Sequence, residues 1–235
     1  MSVKKCHILL LVFTILVCSG CFSSTADTSK APKSVDLSNT NNLLETQYNN
    51  WIPVESGHIS FKVPPTLEKA DQNHIDQLNS VLGSNQLKIM YQQNGLNEAV
   101  KSHPESANGH FARVILECIP NPDAEGMNFG DKITWSKDDL DTLFEMYKKS
   151  TEKDIYHNDY YWGAIKPVDL PCGQAINISY KRKYGNNPPA NVNVYIFFDN
   201  KIIYSLTISY RSTEEHIWCT PGNDIRNIVN TIRYK

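Results

Sequence analysis

The feature that most constrains the fold is a pair of long alternating segments near the C-terminus. Apolar side chains occupy every second position from 192 to 198 and again from 202 to 210. A period of two is typical of a strand with one buried face. The dipeptide Asp199-Asn200 between the segments favours a tight turn. Together they predict a long antiparallel hairpin within a sheet.

Further segments predict more strands and helices. Alternation also marks residues 59–63, 87–91, 111–119 and 176–180. A helix is predicted after Ser136, which can cap it, because acidic residues follow in the first turn and apolar residues recur at helical spacing. The apolar face of this helix is formed by Leu140, Leu143, Phe144 and Tyr147.

Two shorter helices are predicted at the C-terminus. Ser212 and Glu215 have the spacing of a capping box for a short helix that carries Trp218. Thr220-Pro221 resembles the start of a last helix. Its buried face is predicted to contain Ile225, Ile228, Val229 and Ile232. Since strands and helices do not alternate along the chain, we expect an α+β fold, an antiparallel sheet with helices packed on it.

Four stretches of this sequence resemble the PsbP-like family of α/β sandwich domains. They are ISFKVPP at 59–65, NISYKR at 177–182, VNVYIFFDNKIIYSLTISYR at 192–211 and IRNIVNTIR at 225–233. The likeness covers roughly residues 51–235 in the order of elements. It implies a PsbP-like sandwich and a non-catalytic role, since the photosystem II member helps to retain inorganic ions and a nuclear-import member binds the GTPase Ran. No residue that carries either role can be matched to a position in this chain.

The N-terminus predicts export. Lys4 and Lys5 precede an apolar run from 8 to 17, which is the order of a secretory signal peptide. The run is shorter than the roughly 20 residues that cross a bilayer. Ser19 and Gly20 before Cys21 resemble a bacterial lipoprotein signal, which implies lipidation of Cys21 and anchoring to a membrane of the cell envelope.

A second cleavage site remains open. Cys18 occupies a position where lipoprotein signals prefer Leu, and Ser24-Thr25-Ala26 would suit an ordinary signal peptidase. That alternative yields a soluble secreted or periplasmic protein. We divide the chain into a signal peptide at 1–20, a flexible polar tether at 21–50 and a single domain at 51–235.

Charge and cysteine content narrow the function further. Removal of residues 1–20 takes two of the 23 basic residues and none of the 25 acidic ones, so the mature charge is 21 minus 25, or −4. No basic stripe indicates nucleic-acid binding.

If Cys21 is lipidated, three thiols remain. Cys118 falls on the apolar side of its strand and is expected in the core. This leaves Cys172 and Cys219 as the pair if an oxidising compartment makes a disulfide.

No catalytic, cofactor or metal motif stands out in the sequence. The acidic loop 123–131 lacks the regular ligand positions of an EF-hand, and Glu214, Glu215 and His216 suit a helix start better than a catalytic site. Asn177-Ile178-Ser179 fits a glycosylation acceptor but lies in a predicted strand.

The aromatic cluster of Tyr156, Tyr160, Tyr161 and Trp162 has two interpretations. It is either a binding patch or the end of the mid-chain helix packed on the sheet. We therefore expect a lipid-anchored envelope protein whose domain binds a protein or a small ligand without catalysis. The alternative is an envelope hydrolase with an unfamiliar active site.

Overall fold

In the part of the chain that the structure describes, the fold is built from two antiparallel sheets and one long helix. The computed structural model describes residues 47–73, 75–76, 87–98, 111–121, 126–151, 159–183 and 188–235. The smaller sheet has the strand order β1-β2-β10. Its strands are β1 (Ile52–Ser56), β2 (Ile59–Val63) and β10 (Arg233–Tyr234). This arrangement confirms the predicted α+β class.

The larger sheet has seven strands in the order β3-β4-β5-β9-β8-β7-β6. They are β3 (Leu67–Lys69), β4 (Leu87–Gln93), β5 (Ala112–Pro120), β6 (Asp159–Leu170), β7 (Gly173–Lys183), β8 (Ala190–Asp199) and β9 (Ile202–Arg211). All neighbouring strands run antiparallel. The predicted hairpin is β8 and β9, and it lies near the centre of the sheet.

The tight turn of this hairpin lies one residue later than predicted. Asn200 and Lys201, at φ +20° and +74°, form its centre. Positive φ values at both central residues are typical of two-residue hairpin loops, whose twist matches that of the flanking strands. Asp199 is instead the last residue of β8, and its carboxylate accepts a hydrogen bond from the hydroxyl of Tyr234 at 3.0 Å. The side chain of Asp199 therefore links the hairpin to the last strand.

The two faces of the large sheet are covered differently. One face packs on the small sheet and the C-terminal segment, and the buried residues between them include Trp51, Phe61, Leu206 and Ile228. Tyr48 also belongs to this core at 3% exposure, so the last residues of the segment expected as a tether join the domain. Residues 1–46, with the expected signal peptide and most of the tether, lie outside the described residues.

Helix α1 (Lys137–Thr151) covers part of the other face. Ser136 caps it as predicted: its hydroxyl accepts from the Asp139 amide at 3.1 Å, and Asp139 accepts from the Ser136 amide at 3.2 Å. Leu143 and Tyr147 are each 1% exposed and pack on β7 and β8. The predicted helix and its buried face are therefore confirmed.

The C-terminal helices differ from the prediction in their starts. Ser212 does not cap helix α2 (Glu215–Trp218); it begins a short 3₁₀ helix, and its hydroxyl donates to the Pro189 carbonyl at 2.9 Å. The last helix is a 3₁₀ helix (Ile225–Thr231) that starts after Asp224, not at Thr220-Pro221. Both predicted starts were wrong: Asp224 caps the last helix by accepting from the Arg226 amide, whereas α2 has no side-chain cap and continues from the 3₁₀ helix that begins at Ser212. The predicted buried faces are correct.

Candidate functional site

An open groove of about 670 Å³ lies on the large sheet at the β6 side, on the face that also carries the small sheet. The small sheet leaves this corner uncovered. Clefts of this size commonly hold ligands. The groove is lined by Tyr161, Gly163, Ser179, Tyr180, Lys181, Lys183, Pro189, Asn191, Val192, Asn193, Tyr210 and Ser212.

Tyr161 is the most exposed large hydrophobic side chain in the described part of the chain, at 58%. It belongs to β6, where successive side chains point to opposite faces. Tyr161 therefore lies on the groove face, whereas its neighbours Tyr160 and Trp162 lie on the face of α1. Tyr156 lies outside the described residues. The strand separates the aromatic residues that the sequence groups together.

Tyr160 and Trp162 pack under α1. The Tyr160 hydroxyl donates to the Thr151 carbonyl at 3.0 Å, and its ring stacks on Trp162 with centroids 5.5 Å apart. Trp162 also meets Phe144 edge-on at 5.6 Å. Tyr160 and Trp162 thus pack between the sheet and the helix. They belong to strand β6, however, and not to the end of the helix.

A β-bulge shapes the groove next to Tyr161. The register between β6 and β7 shifts between Trp162 and Ile165. A Cβ at Gly163 would lie 2.7 Å from the Ser179 hydroxyl and 2.8 Å from the Ser179 carbonyl oxygen. Only glycine allows this close approach of the two strands, and bulges of this kind re-aim neighbouring side chains. The bulge therefore lies directly after Tyr161 in the wall of the groove.

The opposite wall of the groove is held by hydrogen bonds to α2. Asn191 donates to the Glu215 carboxylate at 3.0 Å. The Tyr210 hydroxyl bonds to Cys219 and Asn191, and burial together with the neighbouring thiol raises its pKa. Tyr210 is therefore a neutral phenol at physiological pH. This wall therefore contributes polar side chains, and the exposed Glu215 places a carboxylate beside them.

The charged lining of the groove is basic. Lys181 is exposed and Lys183 is half-buried, and the lining residues that the structure describes include no aspartate or glutamate. This contrasts with the net charge of −2 of the whole sequence. The groove therefore combines an exposed aromatic ring, hydrogen-bonding amides and two cations.

The cysteines do not form a reactive group in the groove. Cys118, Cys172 and Cys219 are all half-buried free thiols, so the structure does not contain the disulfide that the sequence allowed between Cys172 and Cys219. Burial raises the pKa of the Cys172 thiol to about 11 and also raises that of Cys219. Both are weak nucleophiles at neutral pH. Cys118 packs against the core as predicted.

Glu214 has a role that the sequence did not reveal. It is 7% exposed and accepts from Arg211 at 3.2 Å, from the Trp218 indole at 2.8 Å and from the Phe111 amide at 2.9 Å. Glu214 and Arg211 thus form a buried structural ion pair, and the Glu214 side chain does not cap a helix. Arg211 and Trp218 are close to Glu214 in sequence, but the Phe111 amide is 103 residues away, and only the fold brings it to the carboxylate.

The other sequence candidates contribute no site. Asn177 is 6% exposed within β7 and donates to the Val194 carbonyl at 3.3 Å, as suits a strand residue. Of the acidic loop, residues 123–125 lie outside the described residues, and Asp131 accepts from Asn128. The described residues contain no group of three or more side chains placed to hold a metal. None of their helices is long and apolar enough to cross a membrane.

Comparison with known proteins gives a similarity of fold. No protein-family model matches the sequence, and no curated protein matches it. Among solved structures, the chain is similar to the solution structure of cyanobacterial PsbP (CyanoP) from Synechocystis sp. PCC 6803, with a TM-score of 0.49 and 8% identity. The match covers 79% of this chain and 93% of that chain. This similarity concerns the fold alone.

Proposed function

We propose that this chain is an exported protein, anchored to a bacterial envelope membrane through a lipid on Cys21, whose domain binds an acidic segment of a partner protein in the groove beside Tyr161. The observation that carries the proposal is the uncovered groove with Tyr161 and two lysines. Binding is non-catalytic: the domain holds its partner and does not transform it.

The aromatic side chain is the first argument for a docking role. Tyrosine and tryptophan are enriched among residues that dominate binding energy at interfaces. Tyr160 and Trp162 reach packing partners under α1, whereas Tyr161 is 58% exposed on the opposite face. Ordering a tyrosine costs little conformational entropy, since it has two side-chain torsions. Tyr161 is therefore suited to anchor a partner.

The charge of the groove is the second argument, and it selects the partner. Lys181 and Lys183 favour carboxylates, and the chain as a whole is acidic, so the positive potential is local. The length of the groove across four strands suits an extended segment. We expect one that combines acidic side chains with an apolar residue for the ring of Tyr161.

The N-terminal sequence supports the location. Cys21 follows small residues at the end of the apolar run, and the polar residues behind it suit a tether. The intact mass of the mature protein extracted from membranes tests this part. We expect an acylated Cys21 at the N-terminus; a mature chain that begins at Asp27 would contradict the anchoring.

Chemical-shift mapping by NMR tests the groove. A peptide that alternates acidic residues with Phe should shift the amides around Tyr161 and Lys181, and a peptide with Lys in place of each acidic residue should not. Tyr161→Ala should weaken binding about tenfold, or ~1.4 kcal/mol. Ile52→Ala, which removes another exposed apolar side chain at 39% exposure, is the matched control. Equal shifts with both peptides would count against the proposal.

A further inference from the structure

The sequence just before the described residues contains the kind of segment that the groove is expected to bind. Residues 36–45 read DLSNTNNLLE, with two carboxylates, three leucines and no basic side chain. The preceding residues 21–35 contain Asp27, Lys30 and Lys33 as their charged side chains, so their net charge is positive. The acidic and apolar part of the expected tether is therefore the part next to the domain.

The first described residues show where this segment joins the domain. Tyr48 is 3% exposed and packs on Trp51, with ring centroids 4.5 Å apart. The Tyr48 hydroxyl bonds to Asn230 of the last 3₁₀ helix, and the Tyr48 carbonyl accepts from the Lys62 ammonium at 3.4 Å. These contacts hold the start of the domain beside the last 3₁₀ helix.

The same 3₁₀ helix lies next to the groove. Asp224 caps this helix, and Arg226 in its first turn donates to the Asp224 carboxylate at 2.6 Å. Asp224 interacts electrostatically with Tyr48, and Arg226 does so with Tyr210, which lines the groove. The segment at 36–45 therefore joins the domain near one wall of the groove.

Ten residues are long enough to reach the groove and to cross it. The lining residues belong to four adjacent strands, β6 to β9. At about 4.8 Å between neighbouring strands, the groove is roughly 14 Å wide. An extended chain of ten residues spans about 33 Å. More than half of this length is left for the path from residue 47 to the groove.

We propose that residues 36–45 occupy the groove of their own chain and are displaced when the acidic segment of a partner binds. This inference rests on the proposed function, because it assigns an internal competitor to the same site. The leucines of the segment cover the ring of Tyr161, and its carboxylates lie near Lys181 and Lys183. The segment thus closes the groove until a partner is present.

Covalent linkage makes a weakly binding segment an effective competitor. Short linkers hold a tethered ligand at an effective concentration on the order of 1 mM. A segment that binds the groove with a dissociation constant of about 0.1 mM then fills it about nine-tenths of the time. A partner consequently binds the groove about tenfold more weakly than it would bind the open groove.

Titration of three mature chains that begin at Cys21 tests the inference, with the peptide that alternates acidic residues with Phe. Besides wild type, a segment variant carries Asp36→Asn, Leu43→Ser and Leu44→Ser, and a control carries Phe22→Ser, Asp27→Asn and Val35→Ser. We expect the segment variant to bind the peptide about tenfold more tightly than wild type, and the control to bind it like wild type. Without peptide, the amide shifts of Tyr161 and Lys181 should change in the segment variant and not in the control.

Four results would overturn the inference. Equal peptide binding by all three chains would show that the groove is open, and it would leave the proposed function intact. An equal gain in both variants would show that the effect does not come from residues 36–45. A gain that disappears when the protein is diluted would show that the segment of a second copy fills the groove. Peptide binding by none of the chains, the segment variant included, would contradict the proposed function and this inference with it.

Discussion

The stability of the domain should depend on pH through Glu117. Its side chain is 2% exposed, and burial raises its pKa from 4.5 to about 8. Between these two values the carboxyl group is ionised in the unfolded chain and protonated in the folded one. The unfolded state then binds fewer protons, so the free energy of unfolding falls as pH rises through this window. Glu117 thus contributes instability at neutral and alkaline pH.

The magnitude follows from the shift. Each pKa unit corresponds to ~1.4 kcal/mol, so the change from 4.5 to about 8 amounts to ~5 kcal/mol over the whole window. Tyr147 from α1 and Arg182 from β7 face the same region. Burial raises the Tyr147 pKa well above its usual value, and arginine keeps its charge throughout. Neither group changes protonation in this window.

Urea unfolding of wild type and Glu117→Gln across the window measures the effect. Glutamine is close in shape and does not titrate, so the variant should gain stability relative to wild type by ~1.4 kcal/mol per pH unit from about pH 5 to about pH 8. Glu145→Gln, an exposed site on α1 with a 69% exposed side chain, is the control and should give a flat difference. A flat difference for Glu117→Gln as well would contradict a Glu117 carboxyl group that stays protonated in the folded protein.

Three other substitutions probe the frame of the fold. Glu214→Gln removes the carboxylate that pairs with buried Arg211. We expect the free energy of unfolding, measured with urea, to fall by ~3–5 kcal/mol. A fall no larger than the loss of a surface ion pair causes would contradict a buried role for Glu214. Ser136→Ala removes the cap of α1 and should lower the free energy of unfolding by ~1 kcal/mol. Ser136→Asp should retain most of this stability. Gly163→Ala places a Cβ against the Ser179 backbone, so the amide shifts of the bulge should change and peptide binding in the groove should weaken; unchanged NMR spectra would show that the close approach is not required.

The sequence predicts the elements whose signal is local. The β8–β9 hairpin follows from alternation, and α1 follows from a cap, first-turn acids and an apolar face, all within a few residues. The turn at Asn200-Lys201 and the cap at Asp224 were missed because several polar residues near an element end compete for the same role. The choice among them depends on backbone geometry that a one-dimensional pattern does not contain.

The candidate site and the burial of polar side chains depend on contacts that the sequence does not encode locally. Tyr160, Tyr161 and Trp162 are consecutive, and only their assignment to a strand separates the exposed Tyr161 from the other two. The Ser205, Thr207 and Ser209 hydroxyls were visible as the polar half of an alternating strand, and that pattern is typical of a solvent-facing side. They are buried because β9 is a central strand with both faces covered.

The proposed function is tested most sharply by asking whether the groove binds acidic peptides in preference to basic ones. Lys181→Glu combined with Lys183→Glu reverses the sign of the groove without touching Tyr161, and Lys132→Glu with Lys137→Glu changes the net charge equally on exposed residues outside the groove lining. Binding of the acidic and basic peptides to each variant is measured by titration. We expect the groove variant to lose the acidic peptide and to bind the basic one, whereas the control variant keeps the wild-type preference. Equal loss in both variants, or no change in either, would contradict it.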